Sequence, residues 1–176
     1  MKKVREWENK THMHPKGVCE AAAMLWLSRL DNQGMEHALK LKASDCDALQ
    51  ALIEKGDTSW AVKLQDLLGT DSMFFPLVPA ELSSADIAGM EPGDFLFVAG
   101  NGHAGAVYQH RDGIFFFNPG DGLFFLQKSI SMEDKLKAAG KLMSAIKDDS
   151  MLGSGTAIRK GKLRHYGYRL DRFFGG

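Results

Sequence analysis

Between residues 18 and 30 the chain keeps almost entirely to apolar side chains, broken only by Glu20, Ser28 and Arg29. A helix with so little polar face is buried on most sides. This stretch therefore predicts a core helix over 19–30, stopped by the polar run Asp31-Asn32-Gln33-Gly34 and its terminal glycine. Two further helices follow: 46–55, with Ser44 or Asp45 as its cap and Gly56 as its stop, and one from Asp57 or Thr58 to Leu68, stopped by Gly69. The pattern then changes at "MFFPLVP", residues 73–79, an extended and proline-interrupted apolar run suited to an edge strand or a loop packed on the core.

From Asp94 the pattern is that of strands. "DFLFVA" (94–99) and "HAGAVYQH" (103–110) are split by Gly100-Asn101-Gly102. "GIFFFN" (113–118) follows Arg111-Asp112-Gly113, whose Asp-Gly pair is a strong hairpin signal. "GLFFLQ" (122–127) comes after a second turn, Gly120-Asp121-Gly122. Ser131 and Asp134 make a capping-box-like start for a helix over 132–147, with Met132, Leu136, Ala139, Leu142, Met143 and Ile146 on one side. A glycine-rich loop, 152–156, leads to a final strand around Leu163–Leu170. Helices first and antiparallel strands second is the α+β arrangement, with a central buried helix packed on a C-terminal sheet.

A length of 176 residues fits one domain spanning 1–176, with no linker long enough to divide it and no internal repeat. The 22 basic and 22 acidic residues balance, so no global field points to nucleic acid or to an anionic membrane surface. The basic cluster Arg159, Lys160, Lys162, Arg164, His165, Arg169 and Arg172 reads as a charge-protected strand edge or as a docking face. No run is long enough to span a bilayer. The first residues are basic without an apolar segment behind them, which argues against a Sec signal peptide. The expectation is synthesis in a cytoplasm, with any export using a signal this sequence does not show. Cys19 and Cys46 do not form a disulfide framework in a chain of this size and are read as thiols.

Cys19 opens the apolar helix, after a Pro-Lys-Gly loop that brings it to the surface. The positive end of a helix favours an anion, and such a position, with a neighbouring imidazolium, takes a thiol from about 8.5 into roughly the 3.5–7.5 range. Cys19 is thus either a nucleophile or a small buried hydrophobe. A nucleophile needs a base and the base an orienter. Of the six histidines, His103 begins a strand straight after a glycine-rich turn, with small neighbours at Ala104, Gly105 and Ala106. It can also be a solvent-exposed strand-end histidine. A tight hairpin at 112–113 returns the far end of the next strand to residue 103, putting the Asn118 amide, and the Asp121 carboxylate, within reach of the ring. Asn118 before Pro119 can equally be a turn former. Cys46, between Asp45 and Asp47, is expected to have its thiol raised by repulsion and is assigned no function. His12, His14 and Cys19 form a weak metal-site candidate, lacking a fourth ligand.

With "GVCEAAAMLWL", "GHAGAVY" and "GIFFFNPGDGLFFL" in hand, the sequence resembles papain-like cysteine proteases, and within them the YopT-type bacterial effector group, over roughly residues 15–126. The resemblance implies a triad of Cys19, His103 and Asn118, with no cofactor and no metal. Members of the group often carry aspartate where this chain has Asn118, whereas papain uses asparagine. The oxyanion side chain expected shortly before the cysteine is not obvious; Asn9, His14 and Lys16 are the available donors. The stretch "EPGDFLFVAGNGHAGAVYQHRDGIFFFNPG" is also similar to NlpC-type peptidoglycan amidases, whose Asp-Cys-Ser-Gly nucleophile motif is absent.

The expected activity is cysteine-dependent acyl transfer, with peptide-bond hydrolysis in a toxin-like bacterial effector as the leading form. Glutamine deamidation, transglutaminase-like transfer and peptidoglycan amidase activity are alternatives on the same scaffold. A papain-like binding module is the non-enzyme alternative. The resemblance implies a protein or peptide substrate and a secretion chaperone or immunity protein as partners, with no nucleic acid and no membrane span, and synthesis in a bacterial cytoplasm with export into a target cell by a specialised secretion system.

Overall fold

The computed structural model describes residues 1–7, 18–55, 64, 67, 78–100, 103–148 and 157–163, leaving aside the side chains of residues 32, 33, 36, 37 and 148. Among them run seven strands: β1 (Lys2–Glu6), β2 (Val78–Pro79), β3 (Asp94–Gly100), β4 (His103–His110), β5 (Gly113–Asn118), β6 (Gly122–Gln127) and β7 (Ala157–Lys162). They form one antiparallel sheet in the order β1-β6-β5-β4-β3-β7-β2. Helices α1 (Cys19–Gln33), α2 (Met35–Ala38) and α3 (Ala43–Glu54) lie on one face. Helices α4 (Ser84–Ala88) and α5 (Met132–Asp148) pack on the other.

Two-sided burial explains the sequence of the middle strands. Alternate residues of a strand point to opposite faces, so Phe95, Phe97, Tyr108, Phe115 and Phe117 pack with α1. Their neighbours Leu96, Val98, Val107, Ile114 and Phe116 pack with α4 and α5. A strand covered on both faces reads as a continuous apolar run rather than an alternating one, which accounts for three phenylalanines in a row at 115–117. Small residues set the spacing on the α1 side: Ala21, Ala22 and Ala23 of the helix and Ala104 and Ala106 of β4 are all fully buried. Trp26 fills the remaining depth, its ring centroid 5.2 Å from that of Phe117.

Strands β3 to β6 and helix α5 fall where the pattern predicts, within a residue or so. Asp134 donates its backbone N–H to Ser131 Oγ at 3.1 Å, as the capping box requires. Other expectations need correction. Helix α1 runs through the polar Asp31-Asn32-Gln33 and ends against Gly34, whose φ is 84°. Helix α3 starts at Ala43 without a side-chain cap, so neither Ser44 nor Asp45 caps it. The last described strand is 157–162, before the one expected around Leu163–Leu170, whose residues 164–170 lie outside the described residues. It is no edge either, since β7 sits between β3 and β2, and its lysines are met by acids: Lys160 and Lys162 each lie 3.7 Å from Asp94, and Lys162 is 3.7 Å from Glu91. The true edge on that side is Val78–Pro79, in the run expected to make one. The expected helix from 57 or 58 to 68 and the loop at 152–156 lie outside the described residues, apart from Leu64 and Leu67.

The other edge, β1, has no counterpart in the predicted elements. "KKVRE" has one apolar residue and four exposed charges, the composition that keeps an edge strand from pairing with other chains. It docks because position 122 is glycine, φ 144°, where a side chain would run into the Arg5 carbonyl.

Candidate active site

Three elements bring the predicted site residues together. Cys19 is the first residue of α1, delivered by the helix that fills the core. His103 is the first residue of β4, paired with Gly100 of β3. Asn118 is the last residue of β5. The β4–β5 register runs from His110–Gly113 to Ala106–Phe117, so its next step sets Asn118 opposite Gly105. Diagonal neighbours on one face of an antiparallel pair are within reach of long side chains, and Gly105 puts no side chain of its own between Asn118 and His103. The turn after β5 holds Asn118 in place. Its carbonyl accepts from the Asp121 N–H at 3.0 Å, with Pro119 second and Gly120 third at φ 97°, the residue order of a type II turn. Asn118 is therefore a turn former by its backbone and a histidine partner by its side chain.

The histidine bridges the other two. His103 Nδ1 lies 3.1 Å from Cys19 Sγ, and His103 Nε2 lies 2.6 Å from Asn118 Oδ1. A carboxamide oxygen only accepts, so Nε2 carries the proton. In the neutral ring Nδ1 then presents its lone pair to the sulfur. Asn118 is 3 % exposed, which shields its bond to the ring from competing water.

The electrostatics of the thiol differ from the expectation. Burial raises the Cys19 thiol and Glu20 adds to the rise, while backbone N–H groups of Ala104 and of Cys19 itself act against it. The helix terminus alone therefore does not hold a resting thiolate. The acceptor for the thiol proton is the Nδ1 lone pair of His103, 3.1 Å away.

Several candidates are placed elsewhere. Asp121 is not the partner of His103: its carboxylate is ion-paired with Lys3 of β1 and raises the Lys3 ammonium. His110, fully buried at the other end of β4, accepts the Asp112 N–H at 3.1 Å and serves the hairpin turn. Cys46 is buried inside α3, and burial, ahead of repulsion from Asp45 and Asp47, pushes its thiol up to about 11. Asn9, His12, His14, Lys16 and His165 lie outside the described residues, as does the side chain of His37. Among the described residues no cluster of three or more metal-ligating side chains occurs, and no helix is long and apolar enough to cross a membrane. Sequence reasoning missed one polar residue beside the site, Gln50 of α3, whose Oε1 accepts the Ala21 N–H at 3.2 Å. A single glutamine in a mostly apolar helix face carries no signal of that kind.

A cysteine at the start of a buried helix, packed against an antiparallel sheet that offers histidine and asparagine from adjacent strands, is the arrangement of the papain-like cysteine protease fold, and this chain has that fold. Among solved structures it is similar to the ubiquitin-specific protease encoded by a murine cytomegalovirus tegument protein, solved with a ubiquitin-based suicide substrate. The identity is 13 %, the TM-score is 0.51, and the match covers 96 % of this chain and 90 % of that one. It is also similar to the Pseudomonas avirulence protein AvrPphB, at 14 % identity and a TM-score of 0.46, over 82 % of this chain and 90 % of that one. The comparison that bears on the fold is the viral one. No family model and no curated protein matches the sequence.

Proposed function

We propose that the protein is a cysteine-dependent hydrolase of peptide bonds in protein substrates, with Cys19 as nucleophile, His103 as general base and acid, and Asn118 as the orienter of the imidazole. The observation that carries this reading is a single ring with one nitrogen 3.1 Å from a thiol and the other 2.6 Å from a buried amide oxygen. A protein substrate is favoured by the likeness to a protease described as ubiquitin-specific.

As a substrate carbonyl arrives, His103 Nδ1 takes the thiol proton and the sulfur attacks the carbonyl carbon. The Cys19 backbone N–H donates to the oxyanion that forms. The Asn118 oxygen, already accepting from Nε2–H, stabilises the imidazolium. His103 then gives its proton to the leaving amine, and a thioester on Cys19 remains. Water, deprotonated by the same imidazole, hydrolyses the thioester and regenerates the thiol. Burial that raises the thiol suits this order of events, because the anion forms only when its acceptor and its target are both present.

The test is mass spectrometry of a cell-extract proteome incubated with the wild-type protein or with Cys19→Ala. Peptide hydrolysis produces new N-termini in the wild-type sample alone. Deamidated or amine-linked glutamines without new N-termini would move the reading to acyl transfer on the same thioester. Identical proteomes in both samples would leave the fold as a binding module.

A further inference from the structure

The first turn of a helix has N–H groups with no partner in the helix, usually met by the side chain of the N-cap residue. Helix α1 lacks that device: its N-cap is Val18, with no side-chain bond. The Ala22 N–H reaches back to the Val18 carbonyl at 2.8 Å. The Ala21 N–H finds its acceptor outside the helix, in Gln50 Oε1 at 3.2 Å. Gln50 is 5 % exposed and shares the inward face of α3 with Cys46 and Leu49. A buried amide among apolar neighbours is unfavourable unless it is hydrogen-bonded, and this one is spent on the turn that carries Cys19, two residues before Ala21.

We infer that Gln50 is a positioning residue for the thiol–imidazole pair, an N-cap supplied in space by α3 where the sequence of α1 provides none. This rests on the Cys19–His103 pairing proposed above. Its action is geometric: it fixes the first turn of α1 laterally, so that Sγ stays on the lone pair of His103 Nδ1 instead of swinging with a fraying helix end. Small displacements of reacting groups have large effects on rate, and a thiol that leaves the imidazole loses the acceptor for its proton.

The experiment is the pH dependence of iodoacetamide alkylation at Cys19, read by mass spectrometry in the full chain, with Cys46 as an internal control. Cys46 lies one turn before Gln50 on the same helix and is fully buried, so its labelling reports loosening of α3. Gln50→Met keeps length and removes the acceptor; the Cys19 rate at neutral pH is expected to fall about tenfold, the scale of a lost helix cap. Its profile should move to higher pH while Cys46 stays protected. Gln50→Glu keeps an acceptor oxygen and is expected to restore most of the neutral-pH rate. A Gln50→Met profile that coincides with the wild type, or a loss matched by exposure of Cys46, or a Gln50→Glu variant as slow as Gln50→Met, overturns the inference. His103→Ala, measured in parallel, separates it from the reading beneath: if that variant leaves the wild-type profile unchanged, the pair itself is at fault.

Discussion

The two cysteines place the same chemical group in two regions of one helical layer, and only one of them lies beside a histidine among the described residues. Both are free thiols, Cys19 at the first residue of α1 and Cys46 inside α3. Burial raises both, and both have an acidic residue next in sequence that adds to the rise. Neither burial nor membership of a helix separates them. The difference is that a strand across from α1 sets an imidazole nitrogen 3.1 Å from Cys19, whereas among the described residues the charged groups acting on Cys46 are Asp45, Asp47 and Arg29. What distinguishes the two thiols is thus a partner supplied by the sheet, with the helix supplying the place where the two meet.

Substitutions at four positions distinguish the two cysteines. The largest effect is expected from the nucleophile itself: Cys19→Ala lowers turnover of a cleaved substrate by about 10⁴-fold or more, as removal of a covalent nucleophile does. Cys46→Ala leaves that turnover standing. Next comes the post that holds α1 on the sheet. Trp26, fully buried, is expected to cost about 3–5 kcal/mol when cut to alanine, measured by urea unfolding. In that variant Cys46 also loses its protection from labelling. Asn118→Ala removes a bond to a ring that becomes charged, an effect of about 1.5–3 kcal/mol, so Cys19 alkylation below neutral pH slows while Cys46 is untouched. Asn118→Asp keeps the acceptor and most of the rate.

The smallest effect concerns stability. An unfolded cysteine loses its proton near about 8.5, whereas burial holds folded Cys46 neutral up to about 11. The unfolded state then binds fewer protons in that window, so the stabilisation from the neutral buried thiol is whole below the unfolded value and is lost as pH rises toward the folded one. Urea midpoints across that alkaline window should fall in the wild type and fall less steeply in Cys46→Ala, where the raised Cys19 thiol still contributes.

The middle of the fold was open to reading because its signals are local. Strands β3 to β6 carry their own turns, and Asp112-Gly113 fixes the hairpin that returns Asn118 to His103. The same register argument places the Asn118 amide within reach of His103 before any coordinates, and the structure sets the two 2.6 Å apart. What stayed hidden depends on partners distant in sequence. Strand β1 is a charged pentapeptide that becomes a strand only because Gly122 admits its backbone. Strand β7 hides lysines that Asp94 and Glu91 neutralise. The second face of the sheet was missed because a run such as Phe115-Phe116-Phe117 signals a strand without saying that both its sides are covered. The thiol of Cys19 was misjudged for a related reason: a helix terminus is visible in sequence, but the depth at which it is buried is not.

The central claim is that the His103 ring makes Cys19 reactive where burial alone would silence it. The direct measurement is labelling with a thiol-directed epoxide at mildly acidic pH, with the adduct mapped in the wild type and in His103→Ala. The predicted result is modification of Cys19 but not of Cys46 in the wild type, abolished at Cys19 by the substitution. Equal labelling of both cysteines, or undiminished labelling of Cys19 without His103, would contradict it.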